Sequence, residues 1–185
     1  MTGPTSEQHG AGHPDAIRPE AVEPGGSGTQ GDVWEVVVPL GCECGERPLW
    51  DDRTGTVVSV DIPSGRLLRT TPSTTTPWPT KEWVLGANAG VAVLRETGGV
   101  AVALDAAIVL LDEDARPTRD PIPVELPHDA QFNDGMCDPA GRLVVGTNSQ
   151  AGGPPNGVLL SITGEGRTDV LLDGVHESNR SEERR

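Results

Sequence analysis

The stretch Glu96-Thr-Gly-Gly-Val-Ala-Val-Ala103 joins a glycine turn to a short apolar strand, and the sequence contains the same pattern twice more. The counterparts are Arg53-Thr-Gly-Thr-Val-Val-Ser-Val60 and Pro139-Ala-Gly-Arg-Leu-Val-Val-Gly146. Intervals of 43 residues separate the three turn glycines, which are Gly55, Gly98 and Gly141. A four-stranded propeller blade takes roughly 40–50 residues, so the sequence predicts an all-β chain folded as a β-propeller. A β-sandwich with evenly spaced hairpins is the alternative, and the matching local sequence favours the propeller.

Further strands are indicated from Trp34 onward by short Val- and Leu-rich runs between turn residues. Examples are WEVVVP at 34–39, AIVLLD at 107–112 and GVLLSI at 157–162. A second strand is predicted after each repeated turn, at Leu67-Leu68, Val109-Leu110 and Leu159-Leu160. No stretch has a convincing helical period.

The chain divides into three parts by composition. Residues 1–32 are rich in Gly, Pro, Ser, Thr and Glu and are predicted to be a disordered leader. Residues 33–179 hold the strand pattern and form the predicted partial propeller, and residues 180–185 are a divergent polar tail. The N-terminal residues lack the apolar core of a signal peptide, so we expect the protein in the cytoplasm.

Charge and cysteine content limit the partners of the protein. The chain has 14 Lys and Arg against 28 Asp and Glu, a net charge of −14, which argues against nucleic acid and membrane partners. Three cysteines do not make a disulfide framework. Cys42 and Cys44 form a C-x-C pair, but no second pair follows, so reduced thiols are favoured over a metal site.

Polar residues recur shortly before each turn glycine. Glu46 lies nine residues before Gly55, and an asparagine precedes each of the other two turn glycines, at Asn88 and Asn133. Asn179 follows Asn133 after 46 residues and continues the series. Equivalent positions of successive blades meet at the central channel, so these side chains could offer oxygen ligands to a divalent cation and hydrogen bonds to a hydroxylated substrate.

Each of these residues also has a simpler interpretation. Glu46 could be a solvated loop acid, and Asn179 could belong to a disordered end. Asn133-Asp134-Gly135 is also a typical turn sequence. Spacing alone therefore leaves the shared site open.

Two segments resemble the regucalcin–gluconolactonase (senescence marker protein) family. Cys44-Gly-Glu-Arg-Pro-Leu-Trp-Asp51 is similar to the opening blade of that family, and Gln131-Phe-Asn-Asp-Gly-Met-Cys-Asp-Pro-Ala-Gly-Arg142 is similar to its most recognisable internal motif. The family consists of six-bladed propellers that are metal-dependent lactonases and related hydrolases. The resemblance implies the N-terminal part of the domain, an incomplete six-bladed propeller with about three to four blades.

The resemblance also implies roles for individual residues. Glu46 and Asn179 match metal ligands of the family, and the ion would be calcium, zinc, magnesium or manganese. Asn133 matches a substrate-contacting Asn, and Gln131 stands at a substrate-binding position where lactonases often have Arg. The family's proton-transferring Asp has no counterpart before Arg185, so the catalytic residue is unknown and we expect a truncated or frame-shifted product.

The expected activity is therefore metal-dependent opening of a sugar-acid or related lactone, impaired by the truncation. A non-catalytic calcium-binding fragment and an interaction scaffold are the alternatives. We also expect self-association through open sheet edges, because an incomplete propeller leaves them uncovered.

Overall fold

A computed structural model describes residues 35–149 and 155–179 of the chain. These residues form twelve strands in three four-stranded antiparallel sheets. None of them belongs to a helix able to cross a membrane. The predicted leader, residues 1–32, and the predicted tail, residues 180–185, lie outside the described residues.

Each sheet is a meander whose strands follow one another in sequence order. Blade 1 contains β1 (Gly45–Asp51), β2 (Thr56–Asp61), β3 (Arg66–Thr70) and β4 (Thr80–Val84). Blade 2 contains β5 (Ala89–Leu94), β6 (Val100–Leu104), β7 (Ala107–Leu111) and β8 (Ile122–Pro123). Blade 3 contains β9 (Ala130–Cys137), β10 (Leu143–Ser149), β11 (Gly157–Ile162) and β12 (Thr168–Val175).

The repeated turns join the first and second strands of each blade, as the sequence predicts. Gly55, Gly98 and Gly141 have φ angles of 63°, 101° and 78°, a region that suits glycine. The strands predicted to follow these, at Leu67-Leu68, Val109-Leu110 and Leu159-Leu160, are the third strands of the blades, β3, β7 and β11. The all-β propeller architecture is thus confirmed, with three blades in the described residues.

The predicted strand WEVVVP is wrong in its described part, because Val36–Pro39 is irregular. The Trp78 N–H donates to the Val37 carbonyl oxygen at 2.8 Å. Val37, Val38 and Trp78 line a cavity of about 250 Å³ together with Leu68 of β3. The apolar side chains of this segment therefore cover a face of blade 1 instead of joining a sheet.

The core lies between neighbouring blades in two clusters. The first cluster joins blades 1 and 2 and includes Val58, Val60, Leu67, Val100 and Val102. The second cluster joins blades 2 and 3 and includes Val91, Ala103, Phe132, Val145 and Leu160. Burial of these faces excludes water from the apolar side chains and is the main favourable term that holds one blade against the next.

The first strand of each blade contains one residue more than the strand beside it. The extra residue falls between Glu46 and Leu49 in β1, between Ala89 and Val91 in β5, and between Phe132 and Gly135 in β9. The three β-bulges contain Arg47, Gly90 and Asn133, which follow one another at the same 43-residue interval as the turn glycines. A bulge bends its strand and re-aims its side chains, so the same distortion recurs in every blade.

Gly90 shows why the bulge of β5 needs a glycine. A Cβ atom at this position would lie 2.5 Å from the carbonyl oxygen of Phe132 and 2.6 Å from its Cβ. Backbone atoms cannot yield as a flexible side chain can, so β5 and β9 would have to separate. The close approach of the two blades therefore depends on the missing side chain.

We expect Gly90→Ala to reduce the free energy of unfolding by about 1–3 kcal/mol, the usual effect of overpacking. Gly164→Ala is the matched control, because Gly164 is exposed and a Cβ atom added there would have no neighbouring atom within 4 Å. Urea unfolding of both variants measures the difference. Equal unfolding midpoints would show that β5 and β9 do not need this contact.

Candidate functional site

Asp61 fixes the loop that leads to the predicted metal ligand Glu46. Its side chain at the end of β2 is fully buried, with 0% exposure. The Cys44 N–H donates to Asp61 Oδ1 at 2.8 Å, and the Glu43 N–H donates to Oδ2 at 3.3 Å. Glu46 follows only two residues later, so the position of its backbone depends on this carboxylate.

The same carboxylate is stabilised in its charged form. Burial would raise the pKa of Asp61, but hydrogen bonds from Ser64, the Cys44 N–H and Arg66 outweigh it and lower the pKa to about 2. The Ser64 hydroxyl donates at 2.6 Å and Arg66 Nε at 3.1 Å. Asp61 is therefore a buried, fully partnered anion, as such groups must be to be tolerated.

The bulge of β1 places Glu46 and Arg47 at the start of the blade. Glu46 is exposed, and its pair across the sheet is Val60. Arg47 has a φ of 54° and stands directly before Pro48. Its guanidinium reaches blade 3, where Nε lies 3.7 Å from Asp134 Oδ1. The loop of blade 1 that carries Glu46 is thus linked to the bulge of β9.

The same bulge of β9 contacts the segment that carries Asn179. Asn133 Nδ2 donates to the Ser178 carbonyl oxygen at 2.9 Å. Ser178 also lies against Gly146 of β10, and a Cβ atom added to Gly146 would overlap the Ser178 side chain. Asn179 itself is exposed, and its Nδ2 is 3.5 Å from Glu177 Oε1. The backbone next to Asn179 is therefore held at the bulge.

Asn88 and Gln131 form a second contact between blades. Asn88 Nδ2 donates to Gln131 Oε1 at 3.1 Å. These two residues are 43 apart, so they occupy equivalent positions in blades 2 and 3. Asn133 is equivalent to Arg47, which lies two intervals of 43 residues earlier, and the looser series of Glu46, Asn88 and Asn133 does not mark one structural position.

Arg47 is the functional candidate that the sequence pattern did not single out. The signal was present, because Arg47 precedes Gly55 by eight residues just as Asn133 precedes Gly141. When any offset of eight to ten residues before the turn glycine is accepted, Glu46 fits the series as well as Arg47 does. A strict 43-residue interval identifies Arg47 instead.

The predicted site residues are thus brought together only in part. The structure joins Asn88 to Gln131 directly, and it holds the neighbours of Glu46 and Asn179 at the bulge of β9. No cluster of three or more His, Cys, Asp or Glu side chains suited to a metal occurs in residues 35–149 and 155–179. Carboxylate and amide oxygens are nevertheless the donor types that fit a hard divalent ion.

All three cysteines are exposed free thiols. Partial desolvation raises the pKa of Cys42, Cys44 and Cys137 above the usual value although the residues are exposed, and neighbouring carboxylates add to the effect. The interpretation of the C-x-C pair as reduced thiols stays a prediction.

The three meander blades define a propeller protein. Residues 44–181 match the SMP-30/Gluconolactonase/LRE-like region, and the chain belongs to this family.

Two relatives illustrate the similarity. Regucalcin of Oryctolagus cuniculus is 31% identical over 163 residues, covering 78% of this chain and 50% of the relative. The 6-deoxy-6-sulfogluconolactonase of Pseudomonas putida is 35% identical over 139 residues, covering 73% of this chain and 46% of the relative. The chain therefore spans about half the length of these relatives.

Solved structures support the same fold. A luciferin-regenerating enzyme superposes with a TM-score of 0.62 at 26% identity, covering 72% of this chain and 46% of its own. A calcium-binding regucalcin from Agrobacterium tumefaciens superposes with a TM-score of 0.59 at 20% identity, covering 71% of this chain and 43% of its own. The second likeness concerns the fold alone.

The lowered pKa of Asp61 makes a prediction about acid stability. Its folded pKa of about 2 lies below the unfolded value of 3.8. The charged carboxylate therefore stabilises the folded state above pH 4, and this stabilisation is lost as the pH falls to 2. We expect Asp61→Asn to reduce the free energy of unfolding at pH 7 by about 2 kcal/mol, and this difference to vanish near pH 2.

Urea unfolding of the wild type and Asp61→Asn at pH 2 to 7 tests this expectation. Asp105→Asn serves as the control, because Asp105 is an exposed turn residue. A difference between wild type and Asp61→Asn that stays constant across this range would contradict the role of the charge.

Proposed function

We propose that this site takes part in metal-dependent hydrolysis of a cyclic ester, a sugar-acid lactone or a related compound. One observation carries the proposal. The bulge of β9 contacts Arg47, the neighbour of Glu46, and also Ser178, the neighbour of Asn179. Membership of the family and the 35% identity to a protein named as a gluconolactonase add support.

In this proposal Glu46 and Asn179 hold the divalent ion, which is calcium, zinc, magnesium or manganese. When bound, such an ion polarises a carbonyl group and lowers the pKa of water. Asn133 and Gln131 orient the substrate, because an amide both donates to and accepts from hydroxyl groups. The Asn88–Gln131 hydrogen bond fixes which way the Gln131 amide faces. We assign no proton-accepting residue within this chain.

A non-catalytic calcium-binding or scaffold role is the alternative. One observation favours it: Asp134, the carboxylate next to Asn133, already forms an ion pair with Arg47, whose Nε lies 3.7 Å from Oδ1. A protein of this kind would bind the metal but would not open lactones. Cytoplasmic location remains a prediction of the sequence.

We expect Glu46→Gln to weaken divalent-metal binding by on the order of tenfold or more, because ligand charge sets the affinity of an oxygen-ligand site. Glu43→Gln is the matched control. Both residues are exposed acids of the same loop, so the two variants have the same net charge. Calorimetric titration with calcium and with zinc measures the affinities.

Equal losses of affinity in the two variants would refute the metal site. An assay of lactone opening on the same proteins separates the two functions. Metal-dependent opening that Glu46→Gln abolishes supports the hydrolase, whereas metal binding without lactone opening supports the alternative.

We also propose that copies of this chain self-associate through blade 3. Self-association through open sheet edges stays a prediction, and the described residues of blade 3 add an exposed sheet face. The side chains on this face, turned away from blade 2, include Met136, Val144, Leu159 and Leu172. Leu172 is 56% exposed. The net charge of −14 opposes association, but the Debye length is only about 8 Å at physiological salt.

Leu172→Lys is expected to shift the protein toward monomer, because it places a charge on the apolar face of blade 3. Val84→Lys is the control, since Val84 is exposed on the last strand of blade 1. Sedimentation velocity over a range of concentrations reports the change. A wild-type chain that stays monomeric throughout that range would contradict the proposal.

A further inference from the structure

Arg47, in the bulge of β1, combines two unfavourable features. Its φ of 54° lies in the left-handed region, and residues before a proline normally adopt extended backbone. Its Nε is buried and has no hydrogen-bond partner among the described residues. Strained backbone and unsatisfied buried donors are concentrated at functional sites, so both features direct attention to what Arg47 could bind.

The repeat places Arg47 where a ligand would contact it. Arg47 and Asn133 occupy the bulges of β1 and β9, at equivalent positions of two blades. The side chain of Arg47 is only 23% exposed and spans from blade 1 to Asp134 of blade 3. A molecule that contacts Asn133 would therefore also be within reach of the Arg47 guanidinium.

The contact with Asp134 orients Arg47 without a hydrogen bond from Nε. At 3.7 Å from Nε, Asp134 Oδ1 is near enough for charge attraction but too far for a hydrogen bond. A guanidinium has five N–H donors and no acceptor, and its planar fork matches a carboxylate in a bidentate manner. The amides of Asn133, Asn88 and Gln131 suit hydroxyl groups instead.

We propose that Arg47 is a specificity-determining residue that binds the carboxylate of a polyhydroxylated acid. The proposal rests on the proposed function, since such an acid is what the opening of a sugar-acid lactone produces. The hydroxyl groups of the same molecule contact the amides of Asn133 and Gln131. The site then distinguishes a hydroxy acid from the corresponding neutral polyol by one ion pair.

Binding of D-gluconate and of the neutral polyol D-glucitol to the full chain tests this inference by calorimetric titration or NMR. The titrations are made in EDTA, so their result does not depend on metal. We expect the wild type to prefer gluconate and Arg47→Gln to lose that preference, with gluconate affinity falling by on the order of tenfold while glucitol affinity is unchanged. Arg47→Lys should keep only part of the preference for gluconate, because an ammonium group lacks the planar fork of donors.

Two further variants serve as controls, one for loss of folding and one for loss of a positive charge. Arg47→Gly retains the left-handed backbone without strain, so it should unfold at the same or higher urea concentration and still lose the preference. Arg142→Gln removes an exposed arginine of the β9–β10 turn and should behave as the wild type. A wild type without preference for gluconate, or a preference that survives in both Arg47→Gln and Arg47→Gly, would overturn the inference. Failure of the metal site shows separately, in the titrations of Glu46→Gln.

Discussion

The approach of β5 to β9 at Gly90 is the constraint on which the candidate site depends. The carbonyl of Phe132 occupies the space that a side chain at Gly90 would need. This contact fixes the bulge of β9 beside blade 2, and Asn133 and Asp134 belong to that bulge. The links to blade 1 and to the segment before Asn179 both end there. Geometry at the site is therefore set by packing between backbones.

Local polar contacts then refine what the packing sets. Asp61 ties down the loop before β1 through two backbone N–H groups, and Arg66 and Ser64 keep its carboxylate charged. The exposed Glu46 is positioned by a buried residue that it does not contact in the sheet ladder. A buried anion of this kind gives rigidity where the chain would otherwise be a free loop.

The hairpins could be predicted from the sequence, but the strands that form the site could not. β2, β6 and β10 are apolar runs beside turn glycines, and their pattern shows directly in the sequence. β9 contains Asn133-Asp134-Gly135, which has turn chemistry, yet it forms a bulged strand beside Gly90. WEVVVP has strand composition, yet its described residues cover blade 1. In both segments, contacts with residues distant in sequence override the local secondary-structure propensity.

Residue types at the site were predictable, whereas their partners were not. Asn88, Gln131 and Asn133 stand out as amides near repeated turns, but the hydrogen bond from Asn88 to Gln131 depends on the register between blades. Arg47 was overlooked because a charged residue in left-handed backbone before a proline has no sequence signature. Only the repeat interval, applied strictly, relates it to Asn133.

The covering of blade 1 by Val37, Val38 and Trp78 makes the two ends of the blade array unlike each other. Among the described residues, blade 3 presents exposed apolar side chains, whereas Val37, Val38 and Trp78 lie on a face of blade 1. Two copies in contact through blade 3 alone would be related by a twofold axis. The contact would bury this face of blade 3 in both copies. Such an assembly closes at two subunits, whereas two complementary ends would have extended into a filament.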